Sequence, residues 1–188
     1  MQFPFHVRNR AFDEAIQLLR DGRVGESGYG RRIALVLTIP TFDDPVARDI
    51  RRSASGELYV VRTVWLRAVD ASSSTPASRV ATFGLRPITA TLELLATRRP
   101  SLVSTRVDVD PDALDSLLES VAAATIAWHV HQPEPPLDAT VYEVTFGDEL
   151  NETRCRWAGR PPERWGALGA FASRLIRLVD EPARAGAR

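Results

Sequence analysis

Lysine is missing from this chain: all 24 basic residues are arginine, and they face 24 acidic residues, so the formal net charge is zero. Without lysine there can be no Schiff-base lysine, no lysine in a phosphate-binding P-loop and no strand lysine of a protein kinase. Without net positive charge, the chain as a whole supplies no field to concentrate nucleic acid or an anionic membrane. Cysteine is almost absent as well. The lone Cys155 excludes an internal disulfide and a cysteine-cluster metal site, and nothing ties the chain to an oxidising compartment. Long apolar runs are also lacking. Met1 to Phe12 has no uninterrupted apolar core of the signal-peptide kind, and no stretch reaches the roughly 18 apolar residues needed to span a bilayer. No membrane association is expected, and the expected location is cytoplasmic. The lysine-free, alanine-rich and arginine-rich composition is what a GC-rich genome would produce, and a bacterial one is expected.

Several catalytic signatures are missing too. There is no glycine-rich phosphate loop, nucleophile elbow, Ser-His-Asp spacing or dinucleotide fingerprint, and Gly25, Gly28 and Gly30 do not make one.

What is present is ordinary globular chemistry. Apolar residues make up 44% and charged residues 26% of 188, far from the signature of disorder and enough for one core. The expected organisation is one α+β domain over residues 1–180, with a mobile, polar tail over 181–188. Asn9 is placed to cap a helix whose stripe is Phe12, Ala15, Ile16 and Leu19, with Gly22 to end it. Ile33 to Ile39 is a short, nearly continuous apolar run rich in branched residues, as in a central strand covered on both faces. Asp44-Pro45 looks like the opening of a brief helix through Arg52, with Val46 and Ile50 one turn apart.

Strands are expected over Leu58 to Ala68, Arg79 to Leu85 and Ile88 to Thr97, the first two separated by the serine loop Asp70 to Ser78. A further strand holds Val103, Thr105, Val107 and Val109 on one face and should pair with Ile88 to Thr97. Asp110-Pro111 then opens the longest helix, with Leu114, Leu117, Leu118, Val121, Thr125 and Trp128 inward, stopped by Pro133, Pro135 and Pro136. A hairpin of Thr140 to Phe146 and Thr153 to Trp157 follows. Pro161 and Pro162 start a last helix with Trp165, Leu168, Ala172, Leu175 and Leu178 along its stripe. The fold class expected from this order is α+β, a mainly antiparallel, two-layer sheet of about six strands with three main helices.

Four places could carry chemistry. His129 and His131 would face the same way on an extended segment, as a metal pair requires, but no third ligand is in reach of the motif. Asp108, Asp110, Asp112 and Glu119 match ligand positions of an EF-hand loop. Ala113 stands where that loop needs glycine, and Asp110 reads better as an N-cap. Cys155 shares a strand face with Thr153 and Trp157, while Arg154 and Arg156 point away, so it reads as a small core residue and not as an activated nucleophile. Arg154 to Trp165 gathers Arg154, Arg156, Arg160 and Arg164 with Trp157 and Trp165. These are the residue types enriched at interface hot spots, although a strand-to-helix corner with both indoles in the core has the same sequence.

The functional expectation is therefore a non-enzymatic protein-interaction module of the bacterial cytosol, of the immunity type or an accessory subunit. Its partner would be another protein, met through Arg154, Arg156, Trp157, Arg160, Arg164 and Trp165. No cofactor is expected. The alternative is a small-ligand binder or metal-dependent enzyme with a site near His129, His131, Asp108 and Asp110. A nucleic-acid contact through Arg48, Arg51 and Arg52 is the third reading, which the neutral charge disfavours.

Overall fold

The computed structural model of the chain describes residues 10–22, 30–67, 69–70, 100–127, 130, 138–148 and 151–181. Six strands form one antiparallel sheet: β1 (Arg31–Ile39), β2 (Val46–Arg52), β3 (Leu58–Trp65), β4 (Leu102–Val107), β5 (Val141–Asp148) and β6 (Asn151–Ala158). Their order across the sheet is β4-β3-β2-β1-β5-β6. The helices bounded within the described residues are α1 (Arg10–Asp21), α2 (Pro111–Ala122) and α3 (Gly166–Asp180), the last preceded by a 3-10 turn at Glu163–Trp165. Among the described residues, no helix is long and apolar enough to cross a membrane.

The sheet has two unlike faces because side chains alternate along every strand. One face carries Ala34, Val36, Ile50, Val60, Val144, Cys155 and Trp157, and buries them under α2 and α3. The other carries Leu35, Leu37, Ile39, Ala47 and Trp65, and packs them on Ala15, Ile16 and Leu19 of α1. β1 lies between β2 and β5 and is covered on both sides, which is why its run Ala34 to Ile39 is apolar at every position but Thr38.

β2 corrects the reading of Asp44 to Arg52 as a helix. Val46 and Ile50 share a face at a spacing of four, which a period of two satisfies as well as a helical turn does. Both point to the α2–α3 side of the sheet, and the strand is hydrogen-bonded between β1 and β3. Asp44 opens no helix into Val46; its carboxylate accepts a hydrogen bond from the Arg67 backbone N–H at 2.9 Å, at the start of a helical stretch seen at residues 67 and 69–70. The charged residues of the strand, Arg48, Asp49 and Arg51, are buried in ion pairs.

The sheet count agrees with the expected six or so, but its membership differs. β2 was not foreseen, while the expected strands at 79–85 and 88–97, and the loop from 71 to 78, lie outside the described residues. β4 pairs with β3, and Val103, Thr105 and Val107 keep one face as expected.

α2 begins where the sequence says: Asp110 is its N-cap and accepts from the Asp112 N–H, with Pro111 in the first turn. It ends earlier than expected, at Ala122, so Thr125 lies past it, and Trp128, Pro133, Pro135 and Pro136 fall outside the described residues. At 12 residues it is shorter than α3, which has 15. Each strand of the β5–β6 hairpin extends two residues further into the GDELNE stretch than expected, to Asp148 and from Asn151. α3 buries Leu168, Phe171, Ala172, Leu175 and Val179, with Leu178 only half-buried. Its first turn lies against Pro161 so closely that a Cβ on Gly169 would sit 2.4 Å from the proline ring.

Candidate functional site

The face under α1 holds two clusters of buried charge. Glu143 on β5 is completely shielded from solvent, and Arg20 of α1 donates to it through Nε and Nη2 at 2.8 and 2.7 Å. Arg154 of β6 reaches the same carboxylate at 3.5 Å. Asp49 on β2 accepts both arms of Arg32 at 3.0 and 3.1 Å, and Arg51 at 2.8 and 2.6 Å. Arg51 also donates to the carbonyl of Gly22, at the C-terminus of α1, where a cation is favoured. On the opposite face Asp180, the last residue of α3, accepts from Arg48 of β2 and Arg62 of β3. Burial pushes the Asp180 carboxyl up, but the hydrogen bonds and charges of the two arginines together outweigh it and hold the group below the ordinary carboxylate range.

Each of these carboxylates is already met by at least one arginine, so the clusters hold helices onto the sheet, and none of the three carboxylates is poised as a general base. Arg48 and Arg51 are consumed in this way, which corrects the reading of Arg48, Arg51 and Arg52 as a surface for nucleic acid; of the three, Arg52 alone is exposed.

The arginine and tryptophan corner is split by the fold. Trp157 and Trp165 are 3% and 8% exposed and meet edge to face at 6.3 Å, with Tyr142 stacked on Trp157. The Trp165 indole N–H donates to the Ala127 carbonyl at 2.8 Å. Both indoles are therefore core residues: β6 turns Trp157 toward α2 and α3, and the 3-10 turn sets Trp165 against it. Arg154, Arg156, Arg160 and Arg164 remain exposed on the corner. Arg154 pairs with Glu152, and Arg156 lines a hollow of about 310 Å³ with Asp13, Gln17 and Arg20 of α1.

Cys155 lies in the core beside Trp157 and Trp165, and burial raises its thiol pKa, so it stays protonated and apolar. It also lines the feature that sequence reasoning missed, an open cavity of about 730 Å³ between α2, residues 124–127 and the outer part of the sheet. Leu118, Val121, Ile126, Phe146, Cys155 and Trp165 make its apolar walls, and Glu152, Thr153 and Arg154 border it. That volume falls within the range of ligand sites, about 300–1,000 Å³. α2 ends at Ala122, and Ala124, Ile126 and Ala127 beyond it form one wall of the hollow. No periodicity in the sequence signals it.

Asp110 is occupied as a helix cap, and among the described residues no three metal-ligating side chains come together. His129 and His131 lie outside the described residues. Comparison of the chain with models of protein families, with curated proteins and with solved structures finds no match in any of the three.

Proposed function

We propose that this protein is a non-enzymatic interaction module of the bacterial cytosol, an immunity-type neutralising partner or an accessory subunit, which docks another protein at the corner made by β6 and the 3-10 turn. The observation that carries the reading is the combination at that corner of four exposed arginines with an open, largely apolar cavity. Interfaces combine an apolar centre with a polar rim in which arginine is enriched. Trp157 and Trp165 serve it from beneath, as rigid backing for Cys155 and the cavity wall. The buried ion pairs and the protonated thiol support a binding role over a catalytic one, since each of these groups is engaged or inert.

The test is a tagged pull-down from the native host at moderate salt, run in parallel with Arg156→Ala combined with Arg160→Ala. A stoichiometric protein retained by the native chain and lost by the double variant is the expected outcome. Equal retention by both would remove the docking corner.

The cavity volume favours a second reading, a small-ligand binder. Thermal stabilisation of the purified chain by a metabolite or by zinc, manganese or calcium would support it, because a ligand that prefers the native state raises the melting temperature.

A further inference from the structure

The walls of the 730 Å³ hollow are braced by contacts of their own. The Trp165 indole N–H donates to the Ala127 carbonyl at 2.8 Å, which ties the 3-10 turn to the chain beyond α2. Ala124 on the same wall donates its backbone N–H to the Val121 carbonyl at 3.0 Å. Phe146 leans on Phe171 of α3, with ring centroids 5.3 Å apart. The register of β5 and β6 sets Thr153 opposite Phe146 and Cys155 opposite Val144, on the face toward α2 and α3. A concave site held in this way is preformed, as small-molecule sites usually are.

The lining also selects what can enter. Leu118, Val121, Ile126, Phe146 and Trp165 supply aliphatic and aromatic surface. Cys155 adds a soft, neutral sulfur, and the burial that raises its thiol pKa would equally penalise a charge brought up to it. Glu152 and Arg154, the ionised side chains among the described lining residues, are paired with each other, and Arg154 also lies 3.5 Å from Glu143. An anionic ligand would have to compete with both carboxylates for Arg154, and a cationic one would have to compete with Arg154 for Glu152. The Thr153 hydroxyl can donate or accept a hydrogen bond. The volume is about five times that of an apolar cavity that admits benzene.

We infer that this hollow is the binding site of an uncharged apolar molecule of about two or three rings, seated against Phe146 and Trp165, with one hydroxyl, carbonyl or N–H group turned to Thr153. The inference deepens the small-ligand reading and rests on it, and it is independent of the docking corner.

The probes are N-phenyl-1-naphthylamine, a neutral dye whose emission rises in an apolar site, and 1-anilinonaphthalene-8-sulfonate, which has the same skeleton with a sulfonate added. The native chain is expected to bind the neutral dye saturably, at least about tenfold more tightly than the sulfonate. Occupancy should slow iodoacetamide labelling of Cys155 in proportion. Ala124→Trp fills the hollow from a half-buried wall position without deleting a core side chain, and should weaken the neutral dye by about tenfold or more while the chain still melts cooperatively. If that variant does not fold, protection of Cys155 in the native chain decides alone. No saturable binding of the neutral dye up to its solubility would overturn the inference, as would binding that leaves Cys155 labelling unchanged. Equal or tighter binding of the sulfonate would overturn the uncharged class and leave the small-ligand reading standing. If neither dye bound and no metabolite or metal raised the melting temperature, that reading would fall as well.

Discussion

Glu143 and Arg20 meet by two hydrogen bonds of 2.8 and 2.7 Å across the face of the sheet, with the carboxylate wholly out of solvent and the arginine carried in from α1. Most of what holds α1 is this pair and the apolar contacts of Ala15, Ile16 and Leu19. Such a pair costs desolvation of both ions, and breaking it leaves a buried charge without its counterpart.

Replacing Glu143 alone should therefore be severe, and replacing both partners should be milder. Glu143→Met is expected to lower stability by about 3–5 kcal/mol, the range for a broken buried pair. Adding Arg20→Met should recover a large part of that loss, because the uncompensated guanidinium goes with it. Urea unfolding of the native chain, both single variants and the double variant closes the cycle, and a double variant as unstable as the sum of the singles would contradict it.

Asp180 gives a pH dependence of definite sign. Its folded pKa lies below its unfolded value, because Arg48 and Arg62 favour the carboxylate more than burial disfavours it. Its contribution is full above the unfolded pKa of about 4 and is lost as pH falls through the folded value. Asp180→Asn should destabilise the chain near neutrality by about 1–3 kcal/mol, since the almost fully buried Arg48 loses its charged acceptor. The difference from the native chain should shrink steadily below about pH 4. Denaturation midpoints at a series of pH values measure both quantities, and a gap that widened on acidification would refute the assignment.

The apolar half of this fold was legible in the sequence, and the polar half was not. The Phe12 to Leu19 stripe, the Ile33 to Ile39 run, the Asp110 cap and the β5–β6 hairpin all follow from periodicity or turn chemistry, and each lies where it was expected. β2 was read as a helix because Asp44-Pro45 has the form of a helix start and the spacing of Val46 and Ile50 fits a helical turn as well as a strand. What decides for the strand lies elsewhere in the chain, since Arg48, Asp49 and Arg51 are buried by partners 132, 17 and 2 residues away. The candidate site divides in the same way. The strand alternation that put Cys155 and Trp157 inward was visible, but a cavity depends on where α2 stops, and no residue between Ala122 and Ala127 marks the stop as glycine or proline would.

Gly22 should resist substitution for two separate reasons. It has φ of 60°, in the left-handed region that closes α1, and a Cβ there would lie 2.4 Å from Arg32 Nη2 and 2.6 Å from both Arg51 Nη2 and the Asp49 carboxylate. The backbone term alone is about 1 kcal/mol or slightly more. Gly22→Ala should exceed it, because the Arg32–Asp49–Arg51 cluster must also move. In an Asp49→Ala background the crowding is relieved, so the cost of Gly22→Ala should fall toward the backbone term. Equal costs in the two backgrounds, measured by urea unfolding, would show that the cluster does not sense the helix end.

Cys155 allows the cavity to be probed without altering the protein, since the chain has no other thiol. Burial raises its pKa and leaves it only 7% exposed, so iodoacetamide at neutral pH should modify it at least about tenfold more slowly than a free thiol. Slow labelling alone could come from global burial, and the dependence on urea separates the cases. A thiol at the wall of an open hollow should admit a small reagent well below the denaturant midpoint, at a rate that hardly changes with urea. A thiol sealed in the core reacts only through unfolding, and its rate then climbs with urea as the unfolded fraction does. Flat urea dependence is the outcome that the cavity geometry requires; a rate tracking global unfolding would mean that the hollow does not open to Cys155.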